Sequence, residues 1–144
     1  RVLVTGRIKH FTSAFGEHVI AEEVEGAMAK AAANLGAQIV EFHVAPEVNP
    51  ESGLPYHEWL VEFAEVPEDP DAFALALDVE LQERNTYYRD LISGSVLRTA
   101  VLKVLPPGAF HNAMARRGKL GGQNKVPRLA NDRTMADELK RHEG

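Results

Sequence analysis

The chain has 144 residues, of which 44% are apolar and 26% charged, with a formal net charge of −5 and no cysteine. These values fit one soluble globular domain with its own core. They exclude disulfides, thiolate zinc sites and a cysteine nucleophile, and without a basic block they argue against non-specific nucleic-acid binding.

The chain opens on Arg1 and runs straight into the β-rich "RVLVTGR". Residues 1–5 read as a strand and residues 9–16 as a second short one, with Gly6 turning between them to form a hairpin. An entry this abrupt is expected of a fragment that begins at a domain boundary. "EEVEGAMAKAAANLG" reads as a helix, because Val24, Met28, Ala31 and Leu35 fall on one face. Glutamates crowd its first turns, where they complement the helix dipole, and Gly36 suits its C-terminal cap.

"QIVEFHVA" alternates, with Val40, Phe42 and Val44 on one face. "HEWLVEFAEV" also alternates, with Trp59, Val61 and Phe63 opposed to Leu60, Ala64 and Val66. The turn composition between them predicts an antiparallel pair. "DPDAFALALDVELQERNTYYRDL" reads as one long helix, capped by Asp69 or Asp71 and started by Pro70. Phe73, Leu77, Leu81 and Tyr88 line its core face. "VLRTAVLKVLP" reads as a third strand, "GAFHNAMARRG" as a short helix ending at Gly118, and "DRTMADELKRH" as a last short helix. The order predicts an α+β domain: a small, mainly antiparallel sheet with packed helices and an N-terminal short hairpin.

Phosphate-binding loops of the G-x-x-x-x-G-K-[ST] and G-x-G-x-x-G types are absent, as is a G-x-S-x-G elbow. The six histidines show no H-x-x-x-H or H-x-H spacing, so no metal site is expected, and each reads as a surface or half-buried side chain. No apolar run approaches the roughly 20 residues that span a bilayer, and no signal peptide is visible, so no membrane is expected as a partner. Three features remain. "GRIKHF" sets Arg7 and Lys9 around Gly6, which by composition is a hairpin turn with solvated charges. "LQERNTYYRD" gives the long helix a polar aromatic end, with Tyr88 in the core. "RRGKLGGQNKVPRLAND" places Lys125 between two glycines, which loosen the backbone, and Pro127, which holds Val126 extended. A lysine ammonium is a compact point charge suited to phosphate or carboxylate oxygens. By composition alone, Lys125 is an exposed loop lysine.

Three stretches carry more than composition. "FGEHVIAEEVEGAM", "LDVELQERNTYYRDL" and "VLKVLPPGAFHNAMARRGKLGGQNKVPRL", in that order, resemble the C-terminal part of the auxin-responsive Gretchen Hagen (GH-three) family of acyl acid–amido synthetases. "GGQNKVPRLAND" looks most like bacterial members. That family belongs to the adenylate-forming superfamily, with acyl-CoA ligases and luciferases. The resemblance implies a mobile C-terminal lid of an ATP-dependent ligase. The lid would close on a large N-terminal adenylation domain that this chain lacks. "GRIK" is similar to the superfamily's hinge motif, which implies that Arg7 approaches the ATP ribose and Lys9 is the pivot. Lys125 matches the superfamily's C-terminal catalytic lysine.

The implied reactants are a carboxylic acid, ATP with Mg²⁺ and an amino-acid amine, in the cytoplasm. The implied partner is the enzyme's own large domain, and the lid alone is expected to be inactive and to hold no cofactor. Two other readings stay open from sequence: the lid of a ligase that makes acyl-CoA thioesters, and a free-standing α+β binding module without catalysis.

Overall fold

The computed structural model describes residues 11–12, 19–48, 50–51, 53–119, 128–130 and 133–141. Strand β1 (Phe11–Thr12) pairs antiparallel with β2 (Val19–Ile20) as a short ribbon. The predicted strand over 1–5, and the hairpin turn at Gly6, lie outside the described residues. Helix α1 (Ala21–Leu35) follows directly. Glu22 and Glu23 occupy its first turn, and Glu23 accepts a hydrogen bond from the Ile20 N–H at 3.0 Å. Gly36 ends it in the left-handed conformation (φ 67°), which places the Ala37 N–H on the Ala32 carbonyl.

The main sheet has the order β3–β4–β5. β3 (Gln38–Glu47) and β4 (Tyr56–Glu65) form the expected antiparallel pair. β5 (Val101–Leu105) joins β4 in parallel, so the sheet is mixed. A parallel neighbour requires a crossover connection, and α2 (Pro70–Arg84) with α3 (Thr86–Ser93) supplies it. Residues 96–100 of the predicted third strand lie outside β5.

Side-chain alternation divides the core in two. Phe42, Val44, Trp59, Val61 and Phe63 face α1, α2 and α3. Ala45, Leu60 and Leu105 face α4 (Ala109–Lys119) and α5 (Thr134–Arg141). The result is a three-layer helix–sheet–helix stack. On the first side Phe63 meets Phe73 edge-on at 5.2 Å, and the Phe42 ring stacks near Trp59 at 6.1 Å. Aromatic pairs of this kind add about 0.5–1.5 kcal/mol beyond their area burial.

Four expectations change. Val40 is 54% exposed, because the β3–β4 register shifts between Ile39 and Glu41 and the extra residue breaks the alternation. Leu35, in the last turn of α1, is exposed rather than part of the core stripe. The predicted long helix is two helices. Asn85 adopts extended backbone (φ −139°, ψ 107°) and its side chain accepts the Tyr88 N–H at 2.8 Å, stopping α2 and capping α3. His43 and His57 are fully buried, not at the surface, and His57 packs against Tyr88 at 5.3 Å between ring centroids.

Three buried acids act as staples. Asp78 on α2 accepts the Tyr88 hydroxyl, the Ala100 N–H (2.9 Å) and the Gln82 amide (2.6 Å), tying α2 to α3 and to the chain entering β5. Glu58 and Glu62 flank Leu60 on the face of β4 that meets α4 and α5. Each of them takes part in the site described next.

Candidate functional site

The stretch around Lys125 leaves α4 and returns at Arg128. The start of α4 and the chain after Lys125 are each held on the sheet. At the α4 end, the Glu62 carboxylate accepts the Gly108 N–H at 2.8 Å and the Phe110 N–H at 3.2 Å. Those amides belong to the start of α4, where helical N–H groups lack intrahelical partners and the dipole favours negative charge. Gly108 has φ 86°, a conformation that favours glycine. The buried carboxylate on β4 thus fixes where α4 begins.

At the other end, residues 128–130 lie along the outer edge of β3. The Val44 N–H donates to the Arg128 carbonyl (2.9 Å), and the Ala130 N–H donates to the Val44 carbonyl (3.0 Å). Leu129 is 1% exposed and belongs to the main core. The Arg128 guanidinium donates through Nε to Glu41 at 2.9 Å and pairs with Glu25 of α1 at 3.7 Å. It also sits 5.0 Å over the Phe42 ring. A shallow cleft of about 320 Å³ opens beside it between α1 and β3, lined in part by Met28, Ala32, Ile39 and Phe42.

Past residue 130 the chain is held by a charge cluster. Arg133 pairs with Glu58 at 2.7 Å, Asp137 at 3.2 Å and Glu47 at 3.6 Å, and Lys140 reaches the other Glu58 oxygen at 3.1 Å. Burial opposes charge on Arg133, but the Glu58 hydrogen bond and the nearby charges of Glu58, Asp137 and Glu47 outweigh it. The guanidinium is held above its ordinary pKa. Met135, Ala136 and Leu139 complete the docking of α5.

The sequence profile of the GH3 family C-terminal domain matches residues 22–134. The chain belongs to the GH3 family. No curated protein matches it in sequence. Among solved structures, this GH3 domain is similar to the GH3.15 acyl acid amido synthetase, with a TM-score of 0.75 at 16% identity. The likeness covers 92% of this chain and 24% of that one. It is also similar to the AtGH3.15 acyl acid amido synthetase in complex with 2,4-DB, with a TM-score of 0.74 at 17% identity, over 94% of this chain and 26% of that one. At these identities the likeness is one of fold. The GH3 chain in hand spans about a quarter of the length of those proteins.

Arg7, Lys9 and Lys125 all lie outside the described residues of the GH3 domain. What the structure brings together is the frame on either side of Lys125. Glu62, Arg128 and Glu58 are the parts of that frame that sequence reasoning missed. The signal for the two glutamates was their alternation with Leu60 in an apolar strand. Arg128 had no local signal, because its partners Glu25 and Glu41 are remote in sequence. Among the described residues of the GH3 domain, no group of three or more His, Asp or Glu side chains is placed to hold a metal ion. None of its described helices is long and apolar enough to cross a membrane.

Proposed function

We propose that this domain is the mobile C-terminal lid of an ATP-dependent acyl acid–amido synthetase, and that Lys125 is the group it delivers to the reaction. The observation that carries the reading is the reach of the family match. It runs from α1 through Lys125 to Thr134. The fold likeness to two GH3.15 amido synthetase structures, whose chains are about four times as long, supports a lid working against a larger partner domain.

In this reading a carboxylate oxygen attacks the α-phosphorus of ATP, a P–O bond forms, and pyrophosphate leaves to give an acyl-adenylate. Two anions must approach, and negative charge gathers on the phosphoryl oxygens. A lysine ammonium bridging acid and α-phosphate offsets that repulsion most strongly at the transition state. Closure of the lid keeps water from the activated ester. An amino-acid amine then attacks the acyl carbon, loses a proton, and expels AMP to leave an amide. Arg7 would meet the ATP ribose, and Lys9 would take up the backbone rotation that moves the lid between the two steps.

Magnesium would neutralise the phosphates of bound ATP. The described residues do not fit a site for it, since the buried acids Asp78, Glu58 and Glu62 are each taken up by protein donors. No step here is routed through a metal held by this domain. The lack of cysteine agrees with a reducing cytoplasm, where we place the enzyme.

The full-length protein is expected to exchange labelled pyrophosphate into ATP only when a carboxylic acid is present. This domain alone is expected to show no exchange. Absence of acid-dependent exchange across a broad panel of acids, or exchange by the isolated domain, would contradict the reading.

A further inference from the structure

We propose that an apolar, acid-rimmed band on the outer side of α2 is a surface by which this domain docks against the rest of its own polypeptide. The inference rests on the reading of this chain as one domain of a larger enzyme, but on no catalytic assignment.

Helix α2 is apolar on two sides. Phe73, Leu77 and Leu81 are buried in the core. Ala72, Leu75 and Val79 repeat at i, i+3 and i+7 on another side, and all three are exposed. A helix with one face in the core normally turns charged and polar groups to water on the other. The band continues past the start of α2. Ala72 shares a cleft of about 380 Å³ with Leu35, from the end of α1, and Val66, just beyond β4. Leu35, Val66, Leu75 and Val79 are between 43% and 57% exposed. Single apolar side chains at a surface need no explanation, but a run of them joined by one cleft marks an interaction surface.

The rim identifies the partner. Glu65, Glu68 and Asp69 line the same cleft, and no lysine or arginine is among the described residues that line it. The C-terminal end of α1 adds the negative pole of a helix dipole. Along α2, every charged residue before Arg84 is acidic. A second copy of this chain would bring a like-charged rim against this one, which costs affinity. The partner is therefore a different surface, apolar at its centre and basic at its edge. The GH3.15 chains are about four times as long as this one, so a GH3 polypeptide of that length carries a second body of chain tethered to this domain. Tethering gives that body a high effective concentration, so that a modest patch is enough to hold it. Inter-domain surfaces within one chain are of this kind, more polar than a permanent interface.

The test is photo-crosslinking in the full-length protein, with benzoylphenylalanine in place of Leu75 and, in a second preparation, in place of Val66. Isotopically light and heavy protein are mixed before irradiation, so that cross-links within one chain are told from those between copies. Both sites are expected to cross-link within one chain, to residues outside this domain. Glu65→Lys combined with Glu68→Lys, which reverses the rim, is expected to lower the yield several-fold, with the unfolding midpoint close to wild type. Cross-links between light and heavy chains would make the band a surface between copies and overturn the proposal. So would cross-links confined to this domain, or none from either site with the probe consumed. An unchanged yield in the charge-reversed variant would overturn the basic-edged partner. The readout does not depend on turnover. Failure of acid-dependent ATP–pyrophosphate exchange, beside cross-links to the rest of the chain, would sink the proposed function and leave this surface standing.

Discussion

Lys125→Ala in the full-length enzyme is expected to slow acid-dependent ATP–pyrophosphate exchange by about 10²-fold or more. That is the usual cost of removing one group that stabilises charge developing in a transition state. The loss is expected in kcat rather than in the KM for ATP, because on the proposed function the ammonium would meet the α-phosphate most strongly when the carboxylate arrives. The second half-reaction should behave differently. If the lid rotates after adenylation and carries Lys125 away, amide formation from a supplied acyl-adenylate should proceed near the wild-type rate. Equal losses in both half-reactions would contradict a lysine that serves only the first.

The second large effect is on stability. Asp78 takes hydrogen bonds from the Tyr88 hydroxyl and the Ala100 N–H, both at buried residues, and from Gln82. Asp78→Ala removes the carboxylate that two buried donors share, and a lost buried bond of this kind costs about 1–3 kcal/mol. We expect a loss of about 3–5 kcal/mol in urea unfolding, a large part of the 5–15 kcal/mol typical of a whole domain. Asp78→Asn keeps one acceptor oxygen in the same shape and should lose clearly less. Alanine and asparagine variants of equal stability would show that the network is not what holds α2 to α3 and β5.

Asp78 also marks a limit on what the sequence makes legible. It falls between Leu77 and Leu81 on an otherwise apolar helix face, and only the fold reveals that Tyr88 and Ala100 converge on it. Local chemistry read well where one residue decides the outcome. Gly36 ends α1 in the left-handed region, and Asp69 accepts the Ala72 N–H at the start of α2, with Pro70 in the first turn. Periodicity read well where one face is buried, as for Trp59, Val61 and Phe63.

Readings failed where a tertiary partner overrides the local pattern. Asn85 sits in a run that reads as continuous helix. It turns the chain because its side chain is used twice, accepting from the Tyr88 N–H and donating to Glu23 across 62 residues. Val40 belongs to a regular alternation until the pairing with β4 inserts a bulge. The parallel pairing of β5 depends on a crossover of more than 30 residues between β4 and β5, which no short window contains.

For the site, the balance is similar. Arg7, Lys9 and Lys125 came from resemblance, because a lysine beside glycines has no chemistry of its own until another domain meets it. Glu62 and Arg128 came from structure, because each acts on backbone or charges 40 or more residues away. Glu62 fixes the start of α4, and the Val44 pairing fixes the chain after Lys125 on the edge of the same sheet.

The central claim is that this GH3 domain serves amide formation through an acyl-adenylate. The most direct measurement supplies the full-length protein with ATP, a panel of carboxylic acids, and either amino acids or coenzyme A, and identifies the products by mass spectrometry. The expected product is an acyl–amino acid amide, with one AMP and one pyrophosphate released per amide formed. A thioester formed in preference to any amide, or an amide formed with release of ADP and phosphate, would contradict it.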